Sequence, residues 1–311
     1  MERKALAIVG PTASGKTKLS LIVAEKINGE IISADSRQIY RYMDIGTAKP
    51  TLEERQKVKH YFIDELDPNE EFNAGIFGEK GREIIEDIFS RGKIPIIVGG
   101  SGLYVKSLID GFFEGPGADW ELREMLYRKA SQLGKEAIYE ELKKVDPVSA
   151  EKIHPNNLKR IIRALEVYYI TGKPISQMQK EIKPEINFKT IQIGLNWDRK
   201  KLYKRIEERV DKMIKDGLIE EVKKLRELGF DKNLNSLQTV GYKEVFDYLD
   251  GLISYEQMIY LIKRNSRRYA KRQLTWFRQD KRIIWLDVDE STDFEKLADK
   301  VIEIFNTHIP S

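Results

Sequence analysis

The chain has 311 residues, of which 41% are hydrophobic, enough for one large domain or two modest ones with packed cores. It contains no cysteine, which excludes disulfides and cysteine-based zinc sites, and its three histidines are too scattered to suggest a zinc cluster. The net charge of +4 says little by itself, and no apolar stretch is long enough to span a bilayer. Because the first residues run directly into a predicted strand, we expect no signal peptide and a cytoplasmic location.

The first part of the chain alternates between apolar runs and amphipathic helices, a pattern typical of a parallel sheet covered on both faces. The predicted strands are 5–9, 30–34, 60–63 and 94–98, and the predicted helices are 16–27, 74–91 and 102–109. Ligands of such sheets bind beyond the carboxyl ends of the strands. Three segments fall there: the loop from Gly10, Asp35, and the turn from Gly99.

A phosphate-binding loop follows the first predicted strand. The residues Gly10, Pro11, Thr12, Ala13, Ser14, Gly15, Lys16 and Thr17 match the pattern G-x-x-x-x-G-K-[ST] in full. The glycines let consecutive N–H groups face a phosphate chain, and the positive end of the following helix adds to the attraction. Lys16 would neutralise the terminal phosphate and the Thr17 hydroxyl would hold Mg²⁺. We expect an α/β fold of P-loop NTPase type that binds a di- or triphosphate.

Asp35 follows the second predicted strand and would face the phosphate loop across the edge of the sheet. Its position leaves three interpretations open. It could be a helix N-cap, for which aspartate is favoured, or an outer-sphere magnesium ligand. It could also be a general base beside a bound phosphate donor.

A glycine-rich turn, Gly99–Gly102, follows the fourth predicted strand. One interpretation is a tight turn and helix start, with Ser101 as the N-cap. The other is that the glycines admit a ligand close to the backbone and that the Ser101 hydroxyl helps to position an acceptor.

The pattern changes after 112. Glycine and proline at 111, 115, 116 and 117 interrupt it, and charged, helix-periodic stretches follow at 119–133, 135–145 and 155–171 without a clear strand. We interpret 113–188 as an all-helical insertion domain. The segments 1–112 and 189–311 would then form the P-loop core with basic C-terminal helices.

The chain returns to the sheet at 189–197. Two helices, 199–228 and 240–282 with breaks near 249–251, precede a last strand at 283–287 and a final helix. Arg205 and Arg209 lie one turn apart on the first of these helices. A solvated charged face is the usual explanation for such arginines. If one of them reaches the site, it would neutralise charge on a leaving phosphate group.

Residues 263–282 contain nine basic side chains and a single acid, Asp280. Several basic residues fall near one helical face, with Tyr269, Trp276 and Phe277 interleaved. This combination is expected of a surface that binds a nucleic-acid backbone, although a basic, solvated helix would also have it. A small-molecule kinase has no need of such a stripe.

Several segments, spanning nearly the whole chain, together resemble those of one family. They are Gly10–Thr17, Ser33–Tyr40, Met43–Pro50, Gly99–Tyr104, His154–Asn157, Arg160–Glu166, Val240–Tyr242 and Ala270–Arg278. The phosphate loop is shared with many kinases and ATPases, whereas Asp44–Pro50 and the tail Lys-Arg-Gln-x-Thr-Trp are far more specific. In these segments the chain resembles the bacterial tRNA dimethylallyltransferases, also called tRNA isopentenyltransferases. Many members have threonine at position 101, and Ser101 keeps the hydroxyl.

The resemblance implies transfer of a dimethylallyl group from dimethylallyl diphosphate to N6 of the adenosine directly 3′ of the anticodon in tRNA. The phosphate loop would hold the pyrophosphate leaving group, with Mg²⁺ as cofactor. Asp35 would accept the N6 proton and Ser101 would help to hold the amine. One arginine of the pair Arg205 and Arg209, by alignment Arg209, would neutralise the leaving charge. The base would be flipped out of its stack to reach the pocket.

The resemblance also implies contacts with the tRNA anticodon stem-loop. The residues implied are Asp35, Ser36, Arg37, Gln38, Ser101, Arg123, Lys159, Arg160, Arg163, Gln238, Gly241, Tyr242, Lys243, Arg267, Arg268, Lys271, Arg272 and Gln273. We expect no membrane partner. Because no long exposed apolar seam is evident, we expect a monomer.

Two other functions would use some of the same features. A small-molecule P-loop kinase would use the loop, with Asp35 as the base for a hydroxyl acceptor, but it leaves the basic stripe and the helical insertion unexplained. A non-catalytic RNA-binding module would use the loop only to sense a nucleotide.

Overall fold

The computed structural model describes residues 3–111, 115–181 and 185–307. The chain divides into two compact units, one formed by Met1–Ile109 with Ile186–Ser311 and the other by Asp110–Glu185. The predicted domain break between 112 and 113 lies outside the described residues.

The larger unit contains a six-stranded sheet in which every pairing is parallel. Its strands are β1 (Lys4–Val9), β2 (Gly29–Ser33), β3 (His60–Tyr61), β4 (Ile94–Gly99), β5 (Lys189–Trp197) and β6 (Ile283–Val288). They lie in the order β3-β2-β4-β1-β5-β6. The predicted α/β class with a parallel sheet covered by helices is confirmed.

Helices fill the connections between the strands. The first four are α1 (Lys16–Ile27), α2 (Leu52–Lys57), α3 (Ala74–Ser90) and α4 (Gly102–Asp110). The next five are α5 (Trp120–Leu133), α6 (Lys135–Val145), α7 (Pro147–Lys152), α8 (Leu158–Thr171) and α9 (Ile175–Glu181). The last five are α10 (Arg199–Lys215), α11 (Leu218–Glu227), α12 (Tyr242–Leu249), α13 (Tyr255–Phe277) and α14 (Phe294–Thr307). Among the described residues, no helix is long and apolar enough to cross a membrane.

The first strand is buried on both faces, which explains why its sequence is a continuous apolar run. Ala7 and Val9 pack into one apolar cluster, which includes Phe77 of α3. Leu6 and Ile8 point to the opposite face and pack into a second cluster, which includes residues of α1 and α14. The sheet therefore holds the loops at its edge on a rigid, doubly covered support.

The predicted helices and strands agree with the observed ones where the apolar pattern is strong. The helix predicted at 16–27 coincides with α1, and the strands predicted at 5–9, 30–34 and 94–98 correspond to β1, β2 and β4. The single helix predicted at 199–228 is wrong, because Gly217 has a φ of 105° and separates α10 from α11. Helix α2 was not predicted, since none of its residues is buried and it has no apolar stripe.

The smaller unit has its own apolar core, to which Leu126, Ile138 and Leu165 contribute from α5, α6 and α8. Helices α7 and α9 were not predicted. Asp146 joins them: it caps α7, and it accepts hydrogen bonds from the backbone and the hydroxyl of Ser176 at 3.0 and 2.6 Å.

Candidate active site

The predicted site segments lie together at one edge of the sheet. Strands β2, β4 and β1 are neighbours and run parallel, so Asp35, the Gly99–Gly102 turn and the phosphate loop (Gly10–Thr17) all leave the sheet at that edge. The turn and the Asp35 segment are joined directly, because Ser36 N donates to Ser101 Oγ at 3.1 Å.

The phosphate loop contains three residues with positive φ: Gly10 at 145°, Ala13 at 62° and Gly15 at 97°. Gly15 precedes α1 and makes no side-chain cap, so the first N–H groups of the helix face the loop without a side-chain acceptor. The left-handed conformation of Ala13 costs backbone strain on the order of 1–3 kcal/mol. The surrounding structure must therefore hold the loop in shape.

Side chains from three other elements bind the loop backbone from outside. Trp197 Nε1, at the end of β5, donates to Ser14 O at 2.9 Å. Arg205 Nε, on α10, donates to Ala13 O at 3.1 Å, and its guanidinium lies 4.4 Å from the centroid of the Trp197 ring. From α13, Gln273 Oε1 accepts a hydrogen bond from Thr12 N at 2.9 Å. These contacts stabilise the loop without using the amides at the start of α1.

Positively charged side chains lie close together around Lys16. Burial and the Arg209 guanidinium lower the pKa of Lys16 to about 7, while the Asp35 carboxylate acts in the opposite direction. The pKa of Arg209 is also lowered by burial, against the effect of Asp35, and Arg205 lowers it further. Since an anion would relieve the repulsion between these cations, the arrangement favours a bound polyphosphate.

The two predicted arginines differ in their surroundings. Arg205 binds the loop backbone at Ala13 and stacks on Trp197. Arg209 interacts electrostatically with Lys16 and Asp35, the two groups expected to face the substrates. Of the pair, Arg209 is the one that couples to both Lys16 and Asp35, and its action on a diphosphate stays a prediction.

Asp35 is partly buried and caps a turn instead of a helix. Its Oδ1 accepts a hydrogen bond from Arg37 N at 2.9 Å, and residues 36–39 form turns. The helix N-cap interpretation is therefore wrong. The general-base and magnesium interpretations stay predictions.

Tyr269 of α13 also belongs to the site, although the sequence singled it out only as an aromatic residue within the basic segment. Burial and the Asp35 carboxylate raise its pKa to about 12, against a hydrogen bond to Ser101 and the charge of Arg272. The Arg272 guanidinium lies 5.7 Å from the centroid of the tyrosine ring. Tyr269 lies four residues before Gln273, so the two side chains share one helical face. This spacing is the signal that could have revealed Tyr269 as a site residue.

Two glycines of the turn after β4 make room for protein side chains. A β-carbon at Gly100 would lie 2.1 Å from Gln273 Nε2, and one at Gly102 would lie 2.1 Å from Trp276 Cδ1. Gln273 Nε2 also donates to Gly100 O at 3.0 Å. At Gly100 and Gly102 the space that a β-carbon would fill is thus taken by the protein itself, and the interpretation that the turn admits a ligand stays a prediction. The Gly99–Gly102 turn and the tail Lys-Arg-Gln-x-Thr-Trp are the two sides of one packing contact.

The outer face of α13 carries exposed cations. The residues that line an open depression along it are Arg268, Lys271, Arg272, Thr275, Trp276 and Gln279. Among the described residues, Arg268, Lys271 and Arg272 have no acidic partner. Arg267 differs, because it pairs with Glu207 of α10 at 2.5 Å. Three of the predicted RNA-binding cations are thus exposed, while the fourth is held by the protein.

Other predicted tRNA contacts face the protein interior. Gln38 accepts from Ser33 Oγ at 2.9 Å and donates to Thr47 O at 3.2 Å. Tyr242 is fully buried, and its hydroxyl donates to Glu221 Oε1 at 2.6 Å. Both side chains are engaged in holding the fold.

The neighbours of Tyr242 differ in exposure. Gly241 is buried, and its N–H donates to Glu244 Oε2 at 2.8 Å. Gln238 and Lys243 are exposed, and Gln238 Nε2 donates to Lys232 O at 2.7 Å. Of this predicted group, only the last two side chains lie at the surface.

In the smaller unit, two predicted tRNA contacts share one buried carboxylate. Arg123 donates to both oxygens of Glu166 at 2.8 and 3.0 Å, and Arg163 donates to Oε2 at 2.6 Å. Lys159 and Arg160 are exposed on the same helix, α8, as Arg163.

Comparison with known proteins places this chain in a family. The model of the IPP transferase family matches residues 38–280. A tRNA dimethylallyltransferase of Acetivibrio thermocellus is 52% identical over 296 residues, covering 94% of each chain, and one of Alkaliphilus oremlandii is 47% identical over the whole of both chains. The crystal structure of a tRNA isopentenylpyrophosphate transferase from Bacillus halodurans is 46% identical, with a TM-score of 0.72 over 98% of this chain and 95% of that one. A eukaryotic dimethylallyltransferase, crystallised in a study of its action on tRNA, is 32% identical, with a TM-score of 0.82 over 98% and 79% of the two chains. The chain belongs to the IPP transferase family.

Proposed function

We propose that this chain transfers a dimethylallyl group from dimethylallyl diphosphate to N6 of the adenosine directly 3′ of the anticodon in tRNA, with release of pyrophosphate. The observation that carries the proposal is that one helix, α13, serves two sites. Its inner face binds the phosphate loop through Gln273, and its outer face exposes Arg268, Lys271 and Arg272. A phosphate site directly behind a cationic surface suits transfer from a diphosphate to RNA. The relatives that carry the name tRNA dimethylallyltransferase support it.

The nucleophile in this reaction needs a base. The lone pair of adenine N6 is delocalised into the ring, so positive charge builds on nitrogen as it attacks C1 of the allylic group. Asp35 accepts the N6 proton as the N–C bond forms. Ser101 holds the amine, and its hydroxyl is already fixed beside the Asp35 turn by Ser36 N. The adenosine must leave its stack to reach this edge of the sheet.

The leaving group needs charge neutralisation. When the bond between C1 and the bridging oxygen breaks, both electrons stay with pyrophosphate. The pKa values of Lys16 and Arg209 are lowered in the free protein. The negative charge on pyrophosphate would stabilise the protonated form of both side chains. Arg205 contributes by holding Ala13 of the loop in place.

Mg²⁺ is the cofactor we propose. The described residues contain no group of three or more metal-binding side chains that could hold an ion by themselves. The ion would therefore be held by the Thr17 hydroxyl, in the first turn of α1, and by oxygens of the diphosphate, which suits the preference of Mg²⁺ for few protein ligands. It would supply further charge neutralisation on the diphosphate.

Mass spectrometry of RNA nucleosides tests the proposal. The purified chain is incubated with dimethylallyl diphosphate, Mg²⁺ and an unmodified anticodon stem-loop, and we expect one adenosine to gain a dimethylallyl group. A stem-loop with guanosine at that position is the matched control and should stay unmodified. Consumption of ATP with a small hydroxyl acceptor, without RNA product, would instead favour the kinase. Binding of RNA without any turnover would favour the RNA-binding module.

We further propose that the chain works in the cytoplasm, where tRNA is modified, and that it works as a monomer. Light scattering of the protein with and without the stem-loop measures the mass of the complex. One protein chain per RNA is the expected result.

A further inference from the structure

Gln273 connects two segments of the site that are far apart in sequence. Its Oε1 accepts from Thr12 N at 2.9 Å, and its Nε2 donates to Gly100 O at 3.0 Å. Gln273 is buried, with 6% of the residue exposed. Both ends of one amide are therefore committed, one to the phosphate loop and one to the turn that carries Ser101.

The flanking residues of Gln273 face outward. Lys271, Arg272 and Thr275 line the exposed depression on α13, while Gln273 points inward between them. Gln273 therefore gives this stretch of α13 a direct hydrogen bond to the phosphate loop. The backbone strain at Ala13, next to Thr12, makes the loop dependent on such external contacts.

We propose that Gln273 is a positioning residue that couples RNA docking on α13 to diphosphate binding in the phosphate loop. The inference rests on the proposed function, because it takes RNA as the occupant of the α13 surface. RNA bound to the exposed cations restrains α13. Gln273 then holds Thr12 and Gly100 at fixed positions, and the phosphate loop binds diphosphate more tightly. By linkage, diphosphate strengthens RNA binding by the same factor.

A binding experiment measures this coupling without any chemical step. Calorimetry gives the Kd of inorganic pyrophosphate for the full chain in the absence and presence of a saturating anticodon stem-loop. We expect RNA to tighten pyrophosphate binding by about 5- to 150-fold, the usual range for such couplings. Gln273→Met keeps the length and volume of the side chain but neither hydrogen bond, so the ratio of the two Kd values should fall toward one.

A second variant reaches the same contact from the other side. Gly100 has no positive φ, so its backbone accepts alanine, but the added methyl group would displace Gln273 Nε2. Gly100→Ala should therefore lower the coupling as Gln273→Met does, and the double variant should lose no more than either single variant. Gln56→Met, at an exposed position on α2, is the matched control and should keep the full ratio.

The outcomes separate this inference from others. A merely structural role of Gln273 would lower the melting temperature or the active fraction and leave the ratio of Kd values unchanged. Wild-type protein without coupling, Gln273→Met with full coupling, or additive losses in the double variant would each overturn the proposal. If the wild type shows coupling but transfers no dimethylallyl group, the proposed function fails while the link between the two surfaces stands.

Discussion

The ring of buried Tyr242 lies directly against Gly46, so that a β-carbon at Gly46 would be 2.4 Å from Tyr242 Cε2. The tyrosine hydroxyl donates to Glu221, and the same carboxylate accepts from Ile45 N at 2.8 Å and from Gly46 N at 3.1 Å. The segment Asp44–Pro50 thus wraps around a carboxylate of α11. Its glycine is required by a close contact within the protein.

Gly46→Ala should therefore destabilise the protein. The methyl group must displace a fully buried ring, a type of overpacking that costs about 1–3 kcal/mol. Chemical denaturation measures the loss. Gly117→Ala is the control, since a β-carbon there meets open space. Equal stability of the two variants would contradict the packing described here.

The sequence predicted which segments come together at the site better than the contacts that they make. Lys16 and Asp35 were found because a motif and a strand order determine where the backbone goes, and parallel strands bring their carboxyl ends to one edge. Tyr269 was not predicted as a site residue because it comes from a helix far along the chain, and its spacing from Gln273 points to the site only once the packing of that helix is known. Long-range contacts of this kind depend on how the whole sheet is covered.

The direction of a side chain was the least predictable feature. Gln38, Tyr242, Arg123 and Arg163 were predicted to contact tRNA, and in the free protein all four side chains bind groups of the protein itself. An arginine is equally suited to a phosphate and to a carboxylate such as Glu166. Residue type and spacing therefore indicate which groups a side chain is able to bind. The place of the side chain in the fold decides whether a group of the protein occupies it.

Asp35→Asn should separate turnover from RNA binding. The amide keeps the shape of the side chain but cannot accept the N6 proton, so the single-turnover rate should fall by roughly 10²–10⁴-fold. The Kd for the stem-loop should stay within about twofold, since one carboxylate contributes little to a surface dominated by cations. An unchanged rate would remove Asp35 from the proton transfer.

Lys16 should make diphosphate binding dependent on pH. In the free protein its pKa of about 7 lies below the ordinary 10.5, so at about pH 8 most molecules have lost the proton. A bound diphosphate favours the charged form, and binding should take up a proton. Calorimetry in buffers of different ionisation enthalpy should show this uptake at about pH 8 and much less at about pH 6. Lys16→Met should show no such proton uptake at either pH.

The same pKa predicts a stability effect of defined sign. Between about pH 7 and 10.5 the unfolded chain holds the Lys16 proton and the folded chain does not, so this group's contribution to the free energy of unfolding rises with pH. Lys16→Met should stabilise the free protein, more at about pH 6 than at about pH 9. Denaturation curves at the two pH values test it. A destabilised variant at the lower pH would contradict it.

Arg209→Met and Arg205→Met should affect different kinetic constants. Arg209 lies with Lys16 and Asp35, so its loss should lower kcat by roughly 10²-fold and raise the pKa of Lys16. Arg205 binds Ala13 O and stacks on Trp197, so its loss should raise KM for the diphosphate and lower stability by about 1–2 kcal/mol. Identical profiles for the two variants would contradict the separate roles.

Replacing Arg268, Lys271 and Arg272 together with glutamine should flatten the salt dependence of RNA binding. Each phosphate contact with single-stranded RNA contributes about 0.7 to the slope of log K against log salt, so three contacts should reduce its magnitude by about 2. Lys80, Lys296 and Lys300, all exposed and outside α13, provide a control triple variant with the same change in net charge. Arg267→Gln should change the slope less than Arg268→Gln, because Arg267 already neutralises Glu207. Equal slopes for the two triple variants would place the RNA on another surface.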